Sequence, residues 1–253
     1  MTVSANEQPL KDLPDEGLRV YERASAAGVS VRIAGGVAIS MLCPSAVEPP
    51  LARTYADLDL VGVAREHKQL SQVLVAAGYQ ADETFNALYG TTRLFFWDPL
   101  NERQVDVFLN RVEMCHVIDL RSRLALPGPT LSLADLLVMK LQVVEANDKD
   151  LRDIITLLVD HEFTDSDDSG INLGYLSSIT AGDWGLWRTV TMIALRADHY
   201  SRGLPAFAHQ GRVHEQVQHF LSALEQVDKT RAWKLRARIG DRKRWYQLPE
   251  ESH

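Results

Sequence analysis

The stretch Arg53-Thr54-Tyr55-Ala56-Asp57-Leu58-Asp59-Leu60-Val61 constrains this chain more than any other. Strand side chains alternate between faces, so Leu58 and Leu60 can enter a core while Asp57 and Asp59 share the opposite face, about 7 Å apart. Two carboxylates on one face repel each other, and a divalent cation removes that penalty. Hard oxygen ligands of this kind suit magnesium, which keeps several waters and takes the rest of its shell from substrate phosphates. The plainer alternative is an Asp-x-Asp pair solvated on a surface strand.

The flanking elements give the pair a setting. Residues 17–27 read as a helix ended by Gly28, and Val29-Ser30-Val31-Arg32-Ile33 as a half-buried strand running into Ala34-Gly35-Gly36. A second helix starts at the glycines and ends before Cys43-Pro44, because a residue preceding proline disfavours the helical region. A loop containing Glu48-Pro49-Pro50 delivers Arg53 and the acidic strand, and a helix over residues 66–77 stops at Gly78. The pattern then turns to β over residues 79–85, 92–97 and 104–109, with Asp98-Pro99-Leu100-Asn101 as a turn. In the last of these segments Val105 and Val107 face one way and Asp106 the other. An acid in so apolar a strand either lies on a solvent-facing edge or has a site to serve.

From Ser132 the signals are helical. Ser132-Leu133-Ala134-Asp135 has a capping-box shape opening a helix to about Ala146, with Lys140 bordering its apolar stripe. A lysine there either snorkels outward or meets a buried anion. A second helix spans 148–160, with Asp150 and Asp153 three apart on one side. Residues 162–170 read as an acidic linker; Asp165-Ser166-Asp167-Asp168-Ser169-Gly170 lacks the glutamate that would complete a calcium loop. Helices over 172–180, 184–200, 213–227 and from 229 onward suggest a small bundle.

Composition excludes several classes. No apolar run is long enough to span a membrane, and residues 1–11 lack the apolar segment of a signal peptide, so a soluble cytoplasmic protein is expected. Cys43 and Cys115 sit in apolar contexts without paired spacing, which points to buried small hydrophobes and not to a disulfide framework or a zinc site. The net charge of −7 is uneven: residues 229–253 hold eight Lys and Arg against three acids, whereas residues 1–228 hold 19 against 31. Lys229, Arg231, Lys234, Arg236, Arg238, Arg242, Lys243 and Arg244, interleaved with Trp233, Trp245 and Tyr246, either solvate a helix end or hold a polyanion by phosphate pairing and stacking.

Together these parts describe triphosphate chemistry. Gly35 and Gly36 leave backbone open to phosphates, and the following helix offers free N–H groups and a favourable dipole. Asp57 and Asp59 would hold one or two Mg²⁺ ions, with Asp106 completing the metal shell or accepting a proton from an attacking hydroxyl. Arg53 and Lys140 are fitting counter-charges for the phosphates.

In this order the motifs resemble the nucleotidyltransferase superfamily, the polymerase-β-like fold, and within it the AbiEii-type proteins of abortive-infection and toxin–antitoxin systems. Gly35-Gly36, Arg53, Asp57 and Asp59 match that family's Gly-Gly and Arg-x-Thr/Ser-x-Asp-x-Asp motifs, and Asp106 its third Asp. Lys140, Lys149-Asp150 and Asp153 match its later Lys and Asp-x-x-Asp. Tyr55 stands where the family has Thr or Ser, and its usual arginine between the lysine and the acid pair is absent. The resemblance covers about residues 17–160.

It implies an α+β fold, a nucleotidyltransferase-like mixed β-sheet flanked by helices and followed by a helical C-terminal bundle. A catalytic domain over residues 1–130 and a helical domain over 131–253 are expected. The implied activity moves a nucleoside monophosphate from an NTP to an acceptor hydroxyl, with Asp57, Asp59 and Asp106 catalytic and metal-binding, and Gly35, Gly36, Arg53, Lys140 and Asp153 nucleotide-binding. The acceptor is an RNA such as tRNA, reached through residues 229–244, or a small hydroxylated molecule such as an aminoglycoside. A toxin-like protein implies an antitoxin partner. A catalytically degenerate nucleotide- or partner-binding protein is the non-enzymatic alternative.

Overall fold

The computed structural model describes residues 8–248; part of the polar N-terminal stretch read above lies outside them. The fold is α+β, and the chain divides into two units. One takes the chain up to Leu42, Thr54–Val112 and Asp119–Leu131, and the other Cys43–Arg53, Glu113–Ile118 and the chain from Ser132 on.

The first unit is a mixed five-stranded sheet with helices. Helix α1 (Leu13–Ala26) begins four residues earlier than its apolar pattern suggests, because Asp12 caps it by accepting from Asp15 N and Pro14 sits in its first turn. Strand β1 (Val31–Ile33) leads into α2 (Gly35–Leu42), which stops at Cys43-Pro44. Strand β2 (Leu58–Gly62) follows, then α3 (His67–Ala76). The β pattern expected over residues 79–85 is mostly helix: β3 is only Gln80–Ala81, and α4 occupies Glu83–Tyr89. Asp82 decides this by accepting from Phe85 N, and Glu83 adds an acid to the first turn. Strands β4 (Arg93–Asp98) and β5 (Arg103–Leu109) complete the sheet.

Strand order is β1-β2-β5-β4-β3, with β2 and β5 parallel and the other pairs antiparallel. Val31, Ile33, Leu58, Leu60, Leu94, Phe96, Val105 and Val107 line one buried face. The two-residue period therefore puts Arg32, Asp59, Asp106, Phe108, Arg93 and Phe95 on the other. The β1 edge is covered by a returning segment, where Ile33 N donates to Pro129 O and Leu131 N to Ile33 O.

The second unit is helical. Helix α5 (Leu133–Leu141) starts at Ser132 but ends well short of Ala146. Beyond it the chain turns so that buried Gln142 can accept from His116 N, and Asn147 caps the next helix. Helix α6 (Asp148–Asp160) has the Asn147/Asp150 capping box at its start, and at its end Asp160 accepts from Ser45 N and Ser45 Oγ. The expected acidic linker is pinned at both ends, because Phe163–Thr164 pairs in parallel with Ile171–Asn172. Helices α7 (Leu173–Gly182), α8 (Trp184–Gly203) and α9 (Gln210–Gln226) pack on one another and on α5 and α6, and α10 (Arg231–Ile239) lies against α7 and α8. Cys43 and Cys115 are buried and free; burial, then Asp160 and Asp153, pushes the Cys43 thiol up to about 12. No described helix is long and apolar enough to cross a membrane.

Buried His116 ties the last segment of chain to the bundle. Its Nε2 meets Thr189 Oγ1 at 2.8 Å, and Trp245 Nε1 donates to the same hydroxyl at 3.0 Å. Burial holds the imidazole below its ordinary value of 6.5, with Asp183 opposing in part. A depressed histidine contributes stability that is complete above the unfolded value and is lost as pH falls toward the folded one. Denaturation midpoints should therefore decline as pH drops below 6.5, and His116→Gln should flatten that part of the profile. An unchanged slope in the variant would assign the effect elsewhere.

Candidate active site

The site expected from the sequence divides between the two units. In the first, the joint between β1 and α2 is made by Gly35, whose φ is +62°, a left-handed conformation that L side chains rarely adopt. A Cβ built there would overlap the Asp59 carboxylate. The backbone of the neighbouring Ala34 donates to Asp59 O at 2.8 Å, so strand and joint are also tied through the main chain. Gly35 and Gly36 are both buried at the start of α2.

Asp59 sits opposite Asp106 in the parallel β2–β5 register, and both are partly exposed. Asp57 immediately precedes β2, is exposed, and makes no hydrogen bond or ion pair among the described residues. Asp106 is heavily engaged. Arg93 of β4 donates through Nε to Asp106 Oδ1 at 2.7 Å and through Nη2 to Oδ2, a bidentate fork. The guanidinium lies 5.1 Å from the Phe108 ring centre and 5.8 Å from that of Phe85. Phe85 contacts both Tyr89 and Phe95, which gives the face an aromatic ledge. Among the described residues no three His, Cys, Asp or Glu side chains are grouped so as to hold a metal ion by themselves.

Gly35→Ala tests the joint. The added methyl must displace the Asp59 carboxylate and the backbone must accept a strained φ, a cost of about 1–3 kcal/mol. Chemical denaturation should register that loss, whereas a variant as stable as the parent would mean that the joint relaxes freely.

Arg93 and the ledge were not found from the sequence, because both depend on strand register and on α4. The other predicted residues meet in the second unit. Arg53 forms a bidentate pair with Asp153, 2.7 Å on each arm, and Lys140 Nζ lies 3.0 Å from Asp150 and 2.9 Å from Asp153. Burial alone pulls the Lys140 ammonium down, but Asp153 and Asp150 more than offset it, and its pKa is raised. Of the two alternatives for Lys140, the buried anion is the one realised.

No family model and no curated protein matches the chain. Among solved structures, the antibiotic-resistance factor ANT(2'')-Ia aligns over 54% of this chain and 77% of that one, at 14% identity and a TM-score of 0.36. Overlap that loose transfers neither fold nor chemistry.

The aromatic residues of the basic segment are spent on packing. Trp233 meets Trp187 edge to face at 5.2 Å, Trp245 meets Trp184 at 5.9 Å, and Arg236 stacks over Trp184 at 4.5 Å. Arg231, Lys234 and Arg238 remain exposed on α10. These half-buried rings are engaged by neighbouring side chains, and the exposed cations remain to hold a polyanion by phosphate pairing.

Proposed function

We propose that the chain is a magnesium-dependent nucleotidyltransferase that moves a nucleoside monophosphate from an NTP to an acceptor hydroxyl. The observation that carries this reading is the Gly35 joint: a left-handed glycine at the N-terminus of α2, pressed against Asp59, which itself pairs with Asp106 of the next strand. The joint brings side-chain-free backbone and free N–H groups to the edge of a carboxylate face, which is what a triphosphate held by a cation requires.

The donor set fits magnesium. Asp57, just before β2, and Asp59, within it, supply hard oxygens, and a cation of this kind takes one or two carboxylates and fills the remainder from phosphates and water. Bound there, it would supply charge neutralisation on the departing pyrophosphate. The chain's own residues do the rest. Gly35, Gly36 and the first N–H groups of α2 bind phosphate oxygens, and Asp57 and Asp59 fix the register of the triphosphate against them. An Asp106 oxygen would take the proton from the acceptor hydroxyl as the hydroxyl oxygen bonds to the α-phosphorus and the bond to pyrophosphate breaks.

The AbiEii-like resemblance favours an RNA acceptor such as tRNA, held through the exposed cations of residues 229–244, and an antitoxin partner. The acidic balance of residues 1–228 favours instead a small, polycationic hydroxylated acceptor such as an aminoglycoside. One observation favours a second reading, a catalytically degenerate nucleotide-binding protein: both oxygens of Asp106 are already held by Arg93. Incubation with labelled NTP and Mg²⁺, with total tRNA in one arm and aminoglycosides in the other, separates these. Label on either acceptor supports the enzyme, nucleotide binding without transfer supports the degenerate reading, and no nucleotide binding contradicts both.

A further inference from the structure

The guanidinium of Arg93 is forked onto Asp106, one of the three acids of the proposed site, and neither the sequence motifs nor the reaction as described gives it a task. We infer that Arg93 is a triphosphate-binding residue that rests on Asp106 until nucleotide arrives, so that Asp106 and the phosphates compete for one guanidinium. The inference rests on the nucleotidyl-transfer reading and adds to it a residue that positions the nucleotide and decides when the third carboxylate becomes available.

Four features support it. First, the contact uses the whole fork, Nε to Oδ1 and Nη2 to Oδ2, so both Asp106 oxygens accept from Arg93 while the pair lasts. Second, a phosphate oxygen pair presents nearly the same spacing to a guanidinium as a carboxylate, which makes the exchange one of like for like. Third, the Arg93 side chain is 30% exposed and that of Asp106 13%, so a ligand can approach the cation from the solvent side without opening the core. Fourth, the guanidinium lies near the Phe85 and Phe108 rings, contacts that do not depend on Asp106 and can hold its position while its anion changes.

Charge gives the exchange a direction. Asp57, Asp59 and Asp106 place three negative charges on or beside one sheet face, and Arg93 offsets one of them. A triphosphate adds several more, so the cation is drawn toward the ligand. The carboxylate it leaves is then open to a proton or to a metal ion. Neither Lys140 nor Arg53 is needed for this, since each is already paired with Asp153.

The test uses two titrations on the full chain, with circular dichroism to verify folding. Mn²⁺ binding without nucleotide is followed by electron paramagnetic resonance, and binding of a non-hydrolysable ATP analogue is followed in EDTA by fluorescence. Arg93→Gln should bind Mn²⁺ at least about tenfold more tightly, because Asp106 is released, and the analogue at least about tenfold more weakly, because a charged hydrogen-bonding partner is lost. Asp106→Asn should bind the analogue more tightly than the parent. Should Arg93→Gln fold poorly, the double variant with Asp106→Asn removes the unpaired acid and should still show the analogue loss. These opposite signs are what a purely structural ion pair does not produce. If Arg93→Gln leaves both affinities unchanged or weakens both, while Asp57→Asn abolishes Mn²⁺ binding, the exchange is wrong and the nucleotidyl-transfer reading stands. If the parent binds neither Mn²⁺ nor the analogue, both fall.

Discussion

Asp57→Asn should lower the rate of nucleotide transfer by about a thousandfold, some 4 kcal/mol of transition-state stabilisation, without lowering stability. Asp57 is exposed and has no partner among the described residues, so its removal breaks no fold-supporting contact and relieves repulsion with Asp59. Asp59 is less separable, because its carboxylate lies against Gly35 and its main-chain carbonyl accepts from Ala34. The asymmetry is informative. Steady-state transfer assays with both Asn variants, each paired with a denaturation curve, should show Asp57 as a pure loss of rate and Asp59 as a loss of rate with some loss of stability. A merely structural carboxylate face predicts the reverse for Asp57, no change in rate at all.

Asp153→Ala should cost the fold about 3–5 kcal/mol. Asp153 is 3% exposed and is the shared anion of Arg53, 13% exposed, and Lys140, 17% exposed, so its truncation leaves two largely buried cations with Asp150 as the remaining nearby acid. Removing Arg53 as well leaves Lys140, still beside Asp150, as the one cation that has lost its partner, and Arg53→Met with Asp153→Leu should recover part of the loss. Urea denaturation decides the point; a penalty below about 1 kcal/mol would show that water reaches both cations. The pH dependence has a definite sign. The raised pKa of Lys140 means that its contribution is complete below the ordinary value of 10.5 and fades only as pH climbs beyond it, so the penalty should hold across the neutral range.

These two predictions separate the roles that sequence motifs join. Arg53, Lys140 and Asp153 fit a phosphate-binding motif by type and order, yet the structure pairs them with one another. The pairing of Arg53 with Asp153 bridges 100 positions, a distance over which no local pattern reports. Lys140 could be placed at the border of a buried stripe, but which anion it met depended on how α5 and α6 pack.

The carboxylate face was more legible. Alternation of Leu58, Asp59 and Leu60, and of Val105, Asp106 and Val107, allows only one assignment of faces, and a glycine pair between a strand and a helix marks the joint. The parallel pairing that seats Asp59 opposite Asp106 was not contained in either pattern. Arg93 was hidden for a related reason. It lies opposite Phe108 in the antiparallel β4–β5 ladder, so its contact with Asp106 is a diagonal one that exists only in that register. Helix α4 is hidden in the sequence because Tyr79 and Phe85 suit a strand, and the single Asp82 cap outweighs them. Trp233 and Trp245 had the composition of a stacking surface; their partners, Trp187, Trp184 and Thr189, all lie on α8 and hold both rings half-buried against it.

The central claim is that Asp57 and Asp59 hold a divalent cation together with the phosphates of an NTP at the Gly35 joint. Crystals soaked with MnCl₂ and a non-hydrolysable NTP analogue, measured at the manganese absorption edge, test it most directly. The account predicts an anomalous peak within coordination distance of both carboxylates, about 2.0–2.2 Å as for magnesium, with phosphate density against the first N–H groups of α2. Manganese and nucleotide bound elsewhere, or nucleotide bound with no metal at Asp57 and Asp59, would contradict it.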